Sequence, residues 1–536
     1  MVSNWLGSRI KKIWLLVPRY IRVTFLAGVS AGLLTHMFMI VNVLPNLDAV
    51  PLVAGPTYES RVTGRWLLDL ACAISGDFAV PWINGILAII YISISSCFIV
   101  ACLKVRNTLS CVLISALLMT IPVVASGFTF LATADAIFLS LLLASFAGWL
   151  ASRYKYGFLI AVVPVVFSLA IYQVFFGVTL GLLILVPILE ILNNQVALKK
   201  TLIKGAGFIS TFVVSMPLYF FSVWLTTRDV NLVPYMGMDK MGQIPLSQFP
   251  SLIGNAYVDV VNFFLRDMYN LHFAVLPVLI AASIACVCAL ITIVVIRAQI
   301  YREPAKIITL VILLLLLPLG CNIIHLMSPQ GVNLLMIYPM SLLPVFAIAV
   351  MSLVSCSKTV CTNTAAEQDV KASRSRFLVR ASCCLITATI ALCIFSYWTV
   401  SNQAYFKMHL TYEQMYAHSV SLATKIQQVE GYSMDKEVVL VGSFYDRDDY
   451  YPTIPKLDLI NIRGALNSKD MLSSYSYYRF LRYYLGFPNS VGSMPDDESA
   501  FAELVEILRG TPQYPDYGSI IVLHDKIYVN LSPIPD

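Results

Sequence analysis

The run Tyr58-Glu59-Ser60-Arg61-Val62-Thr63-Gly64-Arg65-Trp66, with Asp48 before it and Asn84 after it, is a polar island between two long apolar segments. About 20 apolar residues suffice for a helix to cross the hydrocarbon core of a bilayer, and such segments flank the island near residues 22–43 and 82–103. The island then lies at the membrane surface, with lipid head groups on one side and water on the other. Within it, residues 58–75 read as a helix, because Trp66, Leu67, Leu70 and Ile74 recur at helical spacing. Arg61, Arg65 and Asp69 follow one another four residues apart on its other face. Two like charges at that spacing repel mildly unless an anion lies beside them. In one reading Asp69 is that anion, as a surface pair with Arg65. In the other, the guanidinium forks grip a phosphate.

Outward from this stretch the chain stays apolar. Of 536 residues, 58% are hydrophobic and only 12% charged, which excludes a soluble globular protein and places the chain among polytopic, α-helical membrane proteins. Further spans are expected near residues 108–126, 134–151, 157–171, 173–192, 205–225, 273–296, 307–326, 334–354 and 381–400, about eleven in all. Lys104 and Arg106, Arg153 and Lys155, Lys199 to Lys204, Arg297 to Lys306, and Lys358 to Arg380 fall in alternate loops. Basic loops face the cytoplasm, so this alternation predicts a cytoplasmic N-terminus and a C-terminus on the other side. Residues 1–21 read as a cytoplasmic interfacial helix, with Leu6, Ile10, Ile13, Trp14 and Val17 opposite Arg9, Lys11, Lys12 and Arg19. No cleavage motif follows the first apolar run, so the first span is expected to act as its own insertion signal. The twelve cysteines are scattered through apolar segments and read as small core hydrophobes rather than a disulfide framework.

Residues 22–400 form the expected membrane domain, with long outer loops at 44–81 and 226–272, and residues 401–536 a small extracytoplasmic α/β domain. That C-terminal part holds 11 Lys or Arg against 17 Asp or Glu, a net charge of −6 within a chain of +6. A basic membrane part with an acidic outer part fits a bilayer and gives no footprint for nucleic acid. Strands are expected at Val438–Val441, Leu457–Ile462, Ile520–Leu523 and Ile527–Val529, with helices near 411–430 and 499–509.

Ionisable groups at a membrane face are costly and are by default functional candidates. Asp48 is the first carboxylate of the chain; the alternative is a solvated loop acid. Glu59 is a second candidate, or a cap on the helix after it. Asp135 opens the fourth span, where an N-cap role competes with a catalytic one. His36 and His325 read as packed, hydrogen-bonded histidines. Asp446-Arg447-Asp448 lacks the glycine and terminal glutamate of a calcium loop and reads as a solvated turn. No His or Cys cluster has metal-ligand spacing.

The segments Thr63-Gly64-Arg65-Trp66-Leu67-Leu68, Pro81-Trp82-Ile83-Asn84-Gly85, Thr133-Ala134-Asp135-Ala136, Ile171-Tyr172-Gln173 and Tyr514-Pro515-Asp516-Tyr517-Gly518-Ser519 resemble, in order and spacing, the bacterial O-antigen glucosyltransferases responsible for serotype conversion. The resemblance implies a GT-C type enzyme that takes glucose from undecaprenyl-phosphate-glucose and attaches it, outside the cytoplasmic (inner) membrane, to the O-antigen repeat of lipopolysaccharide. It maps the base of such enzymes onto Asp48 and leaves Tyr172 and Gln173 as supporting residues. Met327 to Asn333 has no arginine, so no donor contact is assigned there.

The chemistry fits these residues. A lipid phosphate is already a good leaving group, so one base is enough, unlike the carboxylate pair of glycosidases. The base takes the proton of an acceptor hydroxyl as its oxygen attacks the anomeric carbon. Arg61 and Arg65 stabilise charge growing on the departing phosphate, and direct displacement inverts the anomeric centre. No cofactor is required, and a divalent metal ion is left open. The alternative is a transporter or lipid flippase for glycan intermediates. Such proteins commonly show repeated halves and polar groups at the bilayer midplane, whereas here the charges gather at one rim.

Overall fold

The computed structural model describes residues 14–53, 60–194, 196–230, 245–271, 273–327, 332–356, 369–447, 454–492 and 508–532, with a few isolated positions besides. Glu59 lies outside the described residues, as do residues 4–8 of the expected interfacial helix, Asp448, and most of 499–509.

Backbone groups of an apolar segment find no water in lipid and must pair within the segment, so the apolar runs become helices. They are α1 (Arg19–Val41), α2 (Pro81–Cys102), α3 (Thr108–Thr120), α4 (Pro122–Thr129), α5 (Leu131–Arg153), α6 (Val162–Ile171), α7 (Phe176–Asn193), α8 (Leu198–Thr226), α9 (Phe249–Phe264), α10 (Leu276–Arg297), α11 (Pro304–Cys321), α12 (Leu342–Cys356) and α13 (Asp369–Gln428). Among the described residues nine helices are long and apolar enough to cross a membrane, or ten when α3 and α4, bent by 40°, count as one span. Eleven spans were expected. The shortfall is residues 157–171, a helical stretch that falls below spanning length. Pro122 causes the α3–α4 bend: it has no N–H to give and forces Ile121 out of helical geometry, to φ −51° and ψ 134°.

α1 packs closely against both α2 and α3. A Cβ on Gly28 would stand 2.7 Å from the hydroxyls of both Ser93 and Ser115, so the absence of a side chain there lets three backbones approach. At one end of the bundle the loop bases converge. Glu190 takes Lys204 at 2.7 Å and Lys104 at 3.9 Å, and buried Lys306 donates to Asn194 Oδ1 over 2.6 Å.

The last helix, α13, runs for 60 residues, roughly 90 Å at 1.5 Å per residue and about three times a bilayer core. The expected domain boundary at residue 400 therefore falls inside a continuous helix whose last turns project beyond the bundle. There they meet a small sheet of β1 (Glu437–Val441), β2 (Val491–Gly492), β3 (Ile520–Leu523) and β4 (Lys526–Asn530), in the order β2-β1-β4-β3. β1 runs parallel to β2 and β4, with Glu437 opposite Lys526, and β3 pairs antiparallel with β4, with Ile520 opposite Val529. The expected strand at Leu457–Ile462 does not form. Pro455 instead opens a helical turn, Pro455–Asp458, and Asp458 Oδ2 accepts from the Ile454 amide at 3.0 Å. The helix α14 (Ser474–Tyr483) packs beside the sheet, and its Tyr477, Phe480 and Leu481 share a core with Met415, Leu422 and Ile426 of α13.

Candidate active site

The polar island lies at the end of the bundle opposite the clustered bases. The expected helix over 58–75 is broken. Ser60–Thr63 is a single 3₁₀ turn, Gly64 takes φ 73°, and a short helix resumes at Leu68–Cys72. Only glycine enters that left-handed region without strain. The break is held by tertiary bonds that a continuous helix would forbid. The Leu67 amide donates to the Ala170 carbonyl at the end of α6 (3.1 Å), and the Tyr219 hydroxyl of α8 donates to the Gly64 carbonyl (3.1 Å). The periodic apolar residues that imitate a helix are divided. Trp66, Leu67 and Leu68 pack on the bundle, while Leu70 and Ile74 are exposed.

Arg65, Tyr172 and Gln173 are brought together. Arg65 Nε donates to Gln173 Oε1 at 3.4 Å, and its guanidinium lies 5.1 Å from the centre of the Tyr172 ring. Gln173 Nε2 in turn donates to Tyr219 Oη over 3.0 Å, and Trp66 Nε1 donates to Ser222 Oγ at 3.0 Å. Three segments far apart in sequence thus fix the orientation of one arginine. Arg61 points elsewhere, to Asp229 Oδ2 at 3.3 Å, with both side chains half exposed or more. Such a pair contributes little, so Asp229 holds Arg61 only weakly. Burial raises the Asp69 carboxyl above its ordinary value; the Ser60 hydroxyl and Arg61 oppose this, and Asp77 adds to it.

Asp48 follows α1 on a loop shaped by Asn46, whose Oδ1 accepts from the Ala49 amide at 2.9 Å. Beyond it Ala49–Leu52 makes one helical turn, and Val50 enters the core of α13, α14 and the sheet, with Leu47 packed against that core. The Asp48 side chain itself keeps access to solvent. Protein crowds it enough that desolvation pushes its carboxyl above the usual carboxylate value, and the Arg463 cation pulls it part of the way back. Arg463 belongs to the segment after Pro455–Asp458, and its carbonyl accepts from Ser126 and Thr129 at 3.0 Å each, which fastens that segment to the bundle.

Asp135 is not an N-cap. α5 begins at Leu131, and Asp135, 1% exposed, takes the Asn84 amide at 2.9 Å. Asn84 also donates to Ser75 Oγ and accepts from the Val80 amide. This carboxylate ties α5 to α2 and to the end of the island. His36 and His325 are both buried and hydrogen-bonded: His36 to Tyr405 (2.7 Å) and the Met119 carbonyl (3.1 Å), His325 to Asp259 (2.7 Å). Among the described residues no three His, Cys, Asp or Glu side chains converge as metal ligands.

A model of the family described as Glucosyl transferase GtrII matches residues 37–348, more than half of the chain. The chain belongs to this family. No curated protein and no solved structure matches it. This glucosyltransferase therefore carries Asp48, Glu59, Arg61, Arg65, Asp135, Tyr172 and Gln173 within the family match, whereas Arg463 and the C-terminal sheet lie beyond it. Sequence reasoning missed Arg463, Tyr219 and Asp229. None has a local signal: each acts on a residue more than 150 positions away.

Proposed function

We propose that the enzyme transfers glucose from undecaprenyl-phosphate-glucose to the O-antigen repeat of lipopolysaccharide, on the periplasmic side of the inner membrane and with inversion at the anomeric carbon. The observation that carries the reading is Asp48: a solvent-accessible carboxylate at the end of the bundle away from the clustered bases, with its pKa raised by desolvation. Bases mark the cytoplasmic side, so the Asp48 end faces the periplasm, where a lipid-carried donor and acceptor both reach it. An acceptor hydroxyl gives its proton to Asp48 while its oxygen forms the new bond to the anomeric carbon. The bond from that carbon to the phosphate oxygen breaks, and undecaprenyl phosphate leaves with the electron pair. Arg61, loosely held by Asp229, and Arg65, oriented by Tyr172 and Gln173, receive that charge. The family membership supports the enzyme over a transporter.

The test is glucose transfer from purified undecaprenyl-phosphate-glucose to O-antigen, in membranes holding equal amounts of wild type and Asp48→Asn. Removing a general base costs on the order of 10²- to 10⁴-fold in rate, and donor binding should persist. Normal turnover by Asp48→Asn would move the base to Glu59. A wild type that transfers nothing would overturn the donor and acceptor named here.

A further inference from the structure

Beyond the family match, a cavity of about 350 Å³ opens between α13 and the segments that follow β1. It is lined by Lys407, Thr411 and Gln414 of α13, by Tyr445 and Arg447 after β1, and by residues of the segments 454–458 and 467–470. Ten of its thirteen lining residues are polar or charged, unlike the mainly apolar walls of pockets for drug-like or lipid ligands. Three cations stand against two carboxylates there, with amides, hydroxyls and an aromatic ring between them. A wall rich in both donors and acceptors suits a ligand that presents both on every face, as a sugar does.

Three details fit it for binding. Lys407 is 9% exposed, and its nearest carboxylate among the described residues, Asp458 Oδ1, stands 3.9 Å away, outside hydrogen-bond range, so the ammonium keeps donors for a ligand. Lys469 lies over the Tyr445 ring at 5.2 Å, which fixes the aromatic plane. Gln414 is bonded to Ser468, which joins the two walls.

The cavity and the Asp48 loop share their supports. On α13, Lys407, Thr411 and Gln414 form one stripe, and Met408, Tyr412 and Met415 another about 100° round the helix. Tyr412 and Met415 pack in the core that holds Leu47 and Val50, on either side of Asp48. The wall residues Leu457 and Asp458 continue into Arg463, the cation beside Asp48.

We infer that this cavity is the binding site for a sugar unit of the acceptor glycan, neutral or weakly acidic, and that it presents the neighbouring hydroxyl to Asp48. The inference rests on the proposed transfer reaction for its substrate class. Two full-length variants test it in lipid nanodiscs, Gln414→Ala and Lys469→Met. Each removes hydrogen-bonding or charged groups from the wall and should raise the acceptor KM about tenfold, with the donor KM and the kcat at saturating acceptor held. Binding of lipid-free O-antigen oligosaccharide is read separately by saturation-transfer NMR, and it should weaken in both variants. A wild type that transfers glucose, with variants of unchanged acceptor KM and unchanged oligosaccharide binding, overturns the cavity alone. A wild type that binds the oligosaccharide through these residues but transfers no glucose supports the cavity and overturns the reaction. Equal melting temperatures of wild type and variants show that the fold is intact; if one variant melts early, the other carries the test.

Discussion

Asp48 reaches solvent from between Leu47 and Val50, both held in apolar packing, so among the described residues its carboxyl is positioned by its neighbours rather than by bonds of its own. Desolvation raises its pKa and Arg463 lowers it, and a base works only when deprotonated. The kcat/KM of wild type should therefore fall as pH drops through a value above the ordinary carboxylate range. Arg463→Ala removes the lowering influence and should move that acid limb to higher pH, with Arg463→Lys restoring most of it; a pH profile unmoved by Arg463→Ala would uncouple the two residues. Stability has its own sign. A carboxyl whose pKa is raised on folding contributes stability below its unfolded pKa, and that contribution is lost as pH rises through the folded value. Asp48→Asn should thus melt at or above the wild-type temperature near neutral pH, which separates lost chemistry from lost fold. The position of Asp48, an acid just past an apolar span, was legible in the sequence, and its role as base is the proposal made above. Arg463 was not legible, because its partner is set by a chain return that no local pattern records.

The island shows how an element can satisfy a helical pattern without being one helix. Trp66, Leu67, Leu70 and Ile74 have the right spacing, but Gly64 sits in the left-handed region and the Leu67 amide is committed to α6. The periodicity marked only which residues are apolar: Trp66 and Leu67 pack on the bundle while Leu70 and Ile74 are exposed, so the four share no single buried face that one helix would present. The tertiary bonds that replace the helix are exposed to test. Tyr219→Phe deletes the hydroxyl that donates to the Gly64 carbonyl and accepts from Gln173. It should cost about 1 kcal/mol, the net worth of a typical buried hydrogen bond, read as a lower melting temperature in nanodiscs. Because Gln173 also orients Arg65, the donor KM should rise while the acceptor KM holds; a change confined to stability would leave Arg65 independent of α8. The spans themselves were legible for the opposite reason. An apolar run of membrane length has no other way to pair its backbone, and only the stretch at 157–171, below spanning length, departs from the expected count.

At the scale of the molecule, the family match ends at residue 348, while Val50, near its beginning, is buried in a core built by residues 415–531. The loop that carries the proposed base is thus completed by a region the family model does not reach. Three of the four strands there were legible as β-branched runs. The two-residue β2 was not, and Leu457–Ile462 was misread because its apolar residues cover the bundle instead of pairing. The consequence is a dependence that runs against the sequence order. A chain ended after Gln428 keeps every helix of membrane length and should still insert, yet it removes Phe480, Leu481 and Val529 from around Val50. Exposure of a buried Val side chain costs on the order of 1.5–3 kcal/mol, enough to free a loop anchored mainly by such contacts. Hydrogen exchange over residues 44–53 should accelerate in the shortened protein, and glucose transfer should be lost although residues 37–348 are intact. Unchanged protection of that loop would mean that α1 and the bundle alone hold Asp48, and the C-terminal region would then act on the acceptor and not on the base.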